Sequence, residues 1–396
     1  MVPTTPRFVV IIIAFSSLFL VFTSNLITNS DHFALAKRHK TSFEDFFKKF
    51  REHFREHDDD KKRADKKHHD DDKHDDNKEQ KVKHHYTFAD EGDTKRETFN
   101  FVAAGDFGCS KNAKKTVSNM KDKEPELVLP LGDLSYDKTA TCWLDLVSAF
   151  DDKLKATFGY HDVNDGGSKL NQYKQTFGLK DKLYGSFDYR HVHFITMATE
   201  SNFGKNSDQY KFIEKDLKEV SQNRDVDWIV VTSYGPFYSS PSAHDAKTDL
   251  RNTYHPLFEK YGVDLVLEAH NHNYQRTYPL VFNPDKTSKP RPSNEFTTGY
   301  NAKNDGIVFA IVGTGGESFY PLDGRESYVA TQFGGMFGFM NIEISNGNPH
   351  TKLIGTFYDN KDNEMQDHFT IVKEIKNKHG NNQDKHKEKN KDKGKD

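Results

Sequence analysis

Long apolar runs occur in only two parts of this 396-residue chain, which limits where a folded core can form. One part is the N-terminal run Phe8–Phe22, and the other extends from about Phe99 to Val372. The remaining segments are charged and polar, so they cannot bury enough surface to offset the entropy lost on ordering. We therefore predict one globular domain at residues 98–373.

The N-terminal segment, residues 1–36, is predicted to direct export. Arg7 precedes the uncharged run Phe8–Phe22, which is shorter than the about 20 residues of a membrane span and typical of a signal-peptide core. Ala34-Leu35-Ala36 resembles a cleavage site, whereas adding Thr23–Thr28 to the run gives an uncleaved membrane anchor. Both alternatives predict an exported protein, either extracellular or at the cell surface.

Residues 37–97 are predicted to contain an amphipathic helix followed by a charged linker. Five phenylalanines recur at the spacing of one helix face: Phe43, Phe46, Phe47, Phe50 and Phe54. The tract after His57 is rich in His, Asp and Lys and is predicted to be a disordered tether, as is the charged tail 374–396. We predict that this tract is a solvated spacer, with metal binding by its histidines as the alternative.

Within residues 98–373, short apolar runs alternate with helical patterns. The runs are Phe99–Asp106, Glu126–Asp133, Val192–Ala198, Asp227–Tyr234, Asp264–His270 and Gly306–Gly313, and helices are predicted at Lys111–Asp122, Gln209–Ser221 and Lys247–Tyr261. This alternation indicates a layered α/β domain. Three later stretches, Gly338–Ile344, Thr351–Tyr358 and His368–Lys373, are predicted to be antiparallel strands that complete the sheet.

Polar side chains follow three of these apolar runs, where open α/β sheets bind their ligands. Asp106 ends the first run, Asp133 and Tyr136 follow the second, and a later run leads into His270 and His272. A lone aspartate at a strand end is usually a turn or cap residue, but these three clusters together predict a metal site. Carboxylate, phenolate and imidazole ligands favour iron, manganese or zinc, and a phenolate favours trivalent iron.

The two cysteines, Cys109 and Cys142, each come shortly after one of the strand-end motifs. Because those motifs are expected on neighbouring loops, and export permits oxidation, a disulfide between them is predicted. The alternative is two buried free thiols. Zinc binding by cysteine is not expected, because there is no second pair.

The chain contains three motifs in the order Gly-Asp-x-Gly (Gly105–Gly108), Gly-Asp-x-x-Tyr (Gly132–Tyr136) and His-x-His (His270–His272). In this order they resemble the motifs of the purple acid phosphatases among the calcineurin-like metallophosphoesterases. Four further segments are similar to that family: Tyr234–Ser240, Leu257–Leu267, Asn273–Pro279 and Gly313–Gly316. The resemblance implies a four-layer α/β/β/α sandwich with mixed sheets. It also implies hydrolysis of phosphate monoesters by a metal-bound hydroxide.

Carried over position by position, the resemblance implies that Asp106, Tyr136 and His272 bind an iron ion. Asp133 would bridge to a second divalent metal (Zn, Mn or Fe), which His270 would also bind. His161 lies where the family has a histidine that contacts the phosphate or protonates the leaving group. His244 lies near the position of a further substrate-facing histidine.

Two second-metal ligands of the family are missing. Tyr160 stands where the family has an asparagine, and Tyr234 stands where it has a histidine. Tyr160, Tyr234 and Asp162 are the candidate substitutes, but a phenol with a pKa near 10 is a poor ligand for a divalent ion. The sequence therefore predicts one firm metal site and one that is weak or absent.

The sequence is compatible with three functions. The first is an exported metal-dependent phosphatase, whose partner is a phosphate ester and whose N-terminal segment is the candidate membrane contact. The second is a degenerate metal- or phosphate-binding module with little turnover, and the third is a surface protein that scavenges metal through its His-rich tract. The net charge of −3 argues against a nucleic-acid partner, and the sequence leaves the substrate and oligomeric state open.

Overall fold

The computed structural model describes residues 97–346 and 349–375, which belong to one compact unit. The strands are β1 (Phe99–Ala104), β2 (Leu127–Pro130), β3 (Gly185–Tyr189), β4 (Val192–Thr196), β5 (Trp228–Thr232), β6 (Leu265–Glu268), β7 (Tyr274–Thr277), β8 (Leu280–Val281), β9 (Arg291–Pro292), β10 (Gly299–Asn301), β11 (Val308–Val312), β12 (Val329–Phe333), β13 (Gly338–Asn346), β14 (His350–Asp359) and β15 (Met365–Glu374). The helices are α1 (Lys111–Lys121), α2 (Thr141–Val147), α3 (Tyr160–Asn164), α4 (Ser168–Thr176), α5 (Asp208–Val220) and α6 (Thr248–Tyr261), with a 3₁₀ segment at Ser148–Lys153.

Most of these strands form two mixed sheets. The first has the order β10-β15-β14-β13-β1-β2, and the second has the order β12-β7-β11-β6-β5-β4-β3. Strands β1 and β2 are parallel, as are β4, β5, β6 and β11, whereas β13, β14 and β15 pair antiparallel. The three helices predicted within residues 98–373 and the three closing antiparallel strands are confirmed, with ends that differ by up to three residues.

Alternating side chains of the second sheet build two separate cores. Phe194, Val230 and Leu265 belong to the core shared with β1, β13 and β14 of the first sheet. Their neighbours, such as Ile195 and Val231, pack with apolar residues of α5 and α6 on the opposite face. This period of two is what strands between two buried faces require. With α1 packed against β13, the layers follow the predicted order α/β/β/α.

The predicted disulfide between Cys109 and Cys142 is confirmed. Their Cα atoms are 6.1 Å apart, within the 4.4–6.8 Å range that a disulfide bridges. The bond joins the loop after β1 to helix α2, across a sequence separation of 33 residues. On the chain-entropy model, closing such a loop stabilises the fold by roughly 3–4 kcal/mol.

The predicted signal or anchor segment, the phenylalanine-rich helix and most of the charged linker and tail lie outside the described residues. In the part of the chain that the structure describes, no helix combines the length and apolarity needed to cross a membrane.

A buried histidine joins strands β3 and β4 to helix α5. His193 Nδ1 lies 2.6 Å from Asp188 Oδ1, and its Nε2 lies 2.8 Å from Asp216 Oδ2. Burial alone would lower the pKa of His193, but the hydrogen bonds and charges of both aspartates outweigh it and raise the pKa from 6.5 to about 9. The folded protein therefore holds this imidazole in its charged form at neutral pH.

Replacing His193 by glutamine is expected to make unfolding less pH-dependent. A raised folded-state pKa contributes stability that is fully present below pH 6.5 and is lost as the pH rises through about 9. The difference in unfolding free energy between wild type and His193→Gln should shrink by on the order of 3 kcal/mol between pH 6 and pH 10. Urea denaturation at several pH values measures it, and a constant difference would contradict the assignment.

Candidate metal centre

Three side chains that were predicted to bind metal come directly after strands. Asp106 lies two residues past β1, Asp133 three past β2 and His270 two past β6. All three have positive φ angles, of 57°, 48° and 73° respectively. Non-glycine residues in this conformation are strained and cluster at functional sites. The backbone turns sharply at each strand end and directs the side chains toward one another.

Four predicted ligands lie together at this edge of the sheets. The Tyr136 hydroxyl is 3.3 Å from Asp106 Oδ1, 3.5 Å from Asp133 Oδ2 and 3.1 Å from His272 Nε2. His272 Nε2 is in turn 3.5 Å from Asp106 Oδ1. These donors come from the loops after β1, β2 and β6, as the sequence predicted.

The spacing of these four donor atoms fits a single metal ion. Bonds of about 2.1 Å at angles of about 90–110° place neighbouring ligand atoms roughly 3.0–3.4 Å apart, close to the separations found here. The chemistry also fits, because burial and the nearby Asp106 carboxylate raise the pKa of Asp133 to about 7. A cation among these carboxylates would relieve that repulsion.

Each carboxylate of the cluster uses one oxygen to hold the backbone. Asp106 Oδ2 accepts the His270 backbone N–H at 2.9 Å, and Asp133 Oδ1 accepts the His161 backbone N–H at 2.8 Å. The other oxygen of each faces Tyr136. Both aspartates are buried, so these bonds fix the orientation of the oxygens that face the cluster.

The orientation of His272 is fixed by the loop after β11. His272 Nδ1 donates a hydrogen bond to the Ser318 carbonyl, and the Tyr320 ring stacks on the imidazole at 3.9 Å. With a proton on Nδ1, the neutral ring presents the lone pair of Nε2 to Asp106 and Tyr136. Sequence analysis missed Ser318 and Tyr320, although both closely follow the Gly313–Gly316 segment.

Tyr234 lies between Asp133 and His270, the two residues that the family resemblance implies as ligands of a second metal. Its buried hydroxyl is 2.6 Å from Asp133 Oδ2 and 2.7 Å from His270 Nδ1. A phenol has one proton, so if it donates to Asp133 it must accept from His270 Nδ1–H. Asp133 and His270 are then both hydrogen-bonded to the Tyr234 hydroxyl. Gly159 lies beside this group, where a Cβ would come within 2.7 Å of the Tyr234 ring.

The two other proposed substitute ligands are placed differently. Asp162 is buried, and its oxygens accept the backbone N–H groups of Leu134 at 3.0 Å and Gly159 at 2.9 Å. Burial and the Asp133 carboxylate raise the pKa of Asp162 to about 8. Tyr160 is 49% exposed and contacts the His161 ring at 5.5 Å. Asp162 therefore holds a loop in place, and Tyr160 points largely to solvent.

Both predicted substrate-facing histidines border the cluster. The His161 ring packs on Tyr136 with a centroid separation of 4.5 Å. His244 stacks on His270 at 4.0 Å, and Asn271 holds the His244 backbone through two hydrogen bonds. Burial and the nearby His272 lower the pKa of His244. For His270, burial and His244 lower the pKa to about 3.

Comparison with known proteins agrees with the fold and with the motifs. Residues 92–274 match the family model for calcineurin-like phosphoesterases. Purple acid phosphatase 21 of Arabidopsis thaliana is 24% identical over 253 residues, covering 57% of each chain. Purple acid phosphatase 18 of the same plant is 29% identical over 194 residues, covering 45% of this chain and 44% of its own. The chain thus spans about half the length of the curated relatives it matches.

Two solved structures share the fold. A purple acid phosphatase from yellow lupin (Lupinus luteus) seeds superposes with a TM-score of 0.60 at 21% identity, covering 71% of this chain and 55% of its own. GAP50, the anchor in the inner membrane complex of Plasmodium, gives a TM-score of 0.51 at 18% identity, covering 71% of this chain and 90% of its own. The chain therefore resembles the purple acid phosphatases among the calcineurin-like phosphoesterases in its motifs, and it shares their fold.

Proposed function

We propose that this protein is an exported metal-dependent phosphatase that hydrolyses phosphate monoesters with one firmly bound metal. The observation that carries the proposal is the cluster of Asp106, Asp133, Tyr136 and His272, whose donor atoms have the spacing of ligands around one ion. Iron is the metal proposed, because a phenolate ligand favours the trivalent state. When bound, the ion supplies an activated water and polarises the phosphate.

The residues bordering the cluster are assigned to the substrate. His161 lies beside Tyr136 and would give the proton from its Nε2 to the leaving-group oxygen. His244 lies on the other side, over His270, where it would contact the phosphate. General acid catalysis of this kind typically contributes about 10²–10⁴-fold to the rate.

The second metal site is proposed to be altered. The Tyr234 hydroxyl bonds both Asp133 and His270, and a divalent ion would have to displace it from two short hydrogen bonds. This contact also supports the alternative function, a binding module that holds one metal and phosphate but turns over little. Turnover distinguishes the two, because both would bind metal.

Export is proposed from the N-terminal apolar run together with the disulfide. Disulfides form and persist in oxidising compartments and are rare in the cytosol. The bond between Cys109 and Cys142 therefore agrees with a protein that leaves the cytosol. Membrane attachment through residues 1–36 remains the alternative to cleavage of that segment.

The purified full-length protein is expected to contain about one iron per chain, to be coloured when oxidised, and to hydrolyse 4-nitrophenyl phosphate. Charge transfer from Tyr136 would give the colour, so Tyr136→Phe should abolish it while the fold remains intact. Elemental analysis, the visible spectrum and a phosphatase assay measure these three properties. A colourless iron-loaded wild type would exclude the tyrosinate ligand, and metal without turnover would favour the binding module.

A further inference from the structure

We propose that Asp165 and Lys169 are positioning residues that aim His161 Nε2 at the leaving group of the substrate. This inference rests on the phosphatase function proposed above, and adds two residues to which neither sequence analysis nor the comparisons gave a role. It is carried by a chain of contacts between the metal-centre loops and one fully buried lysine.

The backbone of His161 is held at both its amide and its carbonyl. Its N–H donates to Asp133 Oδ1 at 2.8 Å, and its carbonyl accepts from Lys169 Nζ at 2.8 Å. The side chain, in contrast, is 37% exposed and would be free to rotate without a partner. The main-chain hydrogen bonds therefore place His161 beside the metal centre but do not fix the orientation of its imidazole ring.

Asp165 selects one orientation of the ring. Its Oδ2 lies 2.9 Å from His161 Nδ1, and the face of the ring packs on Tyr136. A proton on Nδ1 satisfies the carboxylate, and Nε2 then lies on the opposite side of the imidazole. This arrangement leaves Nε2 as the nitrogen that can exchange a proton with a substrate.

Lys169 fixes the carboxylate and the loop together. Its side chain has no exposed surface, and its ammonium lies 2.7 Å from the Ser135 carbonyl, 2.8 Å from the His161 carbonyl and 3.2 Å from Asp165 Oδ2. Three acceptors use all three donors of the ammonium. Burying a lysine is costly, and the position is explained if it ties the loop after β2 to both His161 and Asp165.

The proposed step is a proton transfer from His161 to the leaving group during hydrolysis of the phosphate ester. As the bond between phosphorus and the leaving-group oxygen breaks, its electron pair stays on that oxygen, which takes the proton from His161 Nε2. The attacking water forms the new bond to phosphorus. The proton that this water releases replaces, over the whole reaction, the proton that His161 gave to the leaving group. Asp165 keeps its own charge throughout and only orients the ring.

The test compares two substrates that differ in their need for a proton. Phenyl phosphate has a poor leaving group that benefits from protonation, whereas 2,4-dinitrophenyl phosphate releases a stable anion without it. We expect Asp165→Ala to lower kcat for phenyl phosphate by about 10- to 100-fold, below the full effect of general acid catalysis. For the dinitrophenyl ester, kcat should change by less than about threefold, since no proton is required.

Three variants control this comparison. His161→Ala should show the same selective loss, and adding Asp165→Ala to it should cause little further loss, because both act through one proton. Asp165→Asn keeps an acceptor for Nδ1–H and should recover part of the phenyl phosphate rate. Asp181→Ala removes one exposed carboxylate and should leave both rates unchanged.

If Asp165→Ala lowers kcat equally for both esters, or for neither, the positioning role is refuted, but the proposed phosphatase function is not. If the wild type hydrolyses neither ester, the proposed function fails first. The placement is then still testable, because ¹⁵N NMR of the metal-free protein reports which ring nitrogen of neutral His161 carries the proton. The Nδ1-protonated form is expected in wild type and should decline in Asp165→Ala, and its absence from wild type would refute the placement.

Discussion

Replacing His272 by alanine is expected to lower the metal content from about one ion per chain to near zero and to reduce kcat by at least about 100-fold. Loss of residues that only orient a metal ligand typically costs 10- to 100-fold in affinity or activity, so loss of a direct ligand should cost at least the upper figure. His272 is also the only nitrogen donor among the four residues proposed to hold the first metal. Elemental analysis after dialysis and steady-state kinetics measure both effects.

Two variants separate loss of the ligand from general damage. His368→Ala removes a histidine from β15, three strands away from β1 in the first sheet, and should retain both metal and activity. Tyr136→Phe leaves three first-site ligands and should retain more metal than His272→Ala. Removing His272 also leaves the Ser318 carbonyl without its partner, so urea denaturation should confirm that the variant is folded. A folded His272→Ala protein that keeps its metal would refute the proposed ligand set.

The position of the cluster could be predicted because buried strands appear in the sequence as short apolar runs. Apolar runs ending in Asp106, Asp133 and His270 place those residues at carboxyl ends of parallel strands, and the structure brings them together. The strain at these residues, seen as positive φ, was not predictable, because aspartate at a strand end is usually an ordinary turn residue. The signal lay in the combination of three strand ends.

Other parts of the site depend on packing that the sequence does not encode locally. Tyr160 and Asp162 are two residues apart in the short helix α3, so their side chains point in different directions, one to solvent and one into the protein. Tyr320 comes from a loop without periodicity, and only the folded chain shows that it stacks on His272. His161, Asp165 and Lys169 are spaced four apart, which is a weak signal that could have suggested their contacts.

Replacing Tyr160 by asparagine and Tyr234 by histidine together is expected to create a second metal site. Wild-type protein should bind about one metal tightly, because the Tyr234 hydroxyl holds the two remaining second-site ligands. Histidine at 234 removes that hydroxyl and adds a nitrogen donor, and asparagine at 160 restores the residue that the family resemblance implies as a ligand at that position. Equilibrium dialysis against Zn²⁺ or Mn²⁺ should then show close to two ions per chain.

The double variant should also be faster, because two metals can hold the attacking water and the phosphate oxygens at once. A gain of roughly tenfold in kcat corresponds to about 1.4 kcal/mol of additional transition-state stabilisation. Tyr234→His alone should give part of this gain, and Tyr160→Asn alone should give little while Tyr234 still bonds both ligands. The two effects should not add, because both residues would serve one ion.

Removing the phenol hydroxyls without adding ligands is the matched control. The double variant Tyr160→Phe/Tyr234→Phe frees Asp133 and His270 but supplies no new donor, so it should not gain a second tight metal. It should be less stable by roughly 1–3 kcal/mol, since buried Asp133 and His270 lose a hydrogen-bond partner. If wild type already holds two tight metals, or if Tyr160→Asn/Tyr234→His gains neither metal nor rate, then Tyr234 does not block the second site. Another group would then have to complete it, and the bonds of Asp162 to the backbone would have to open for that residue to serve.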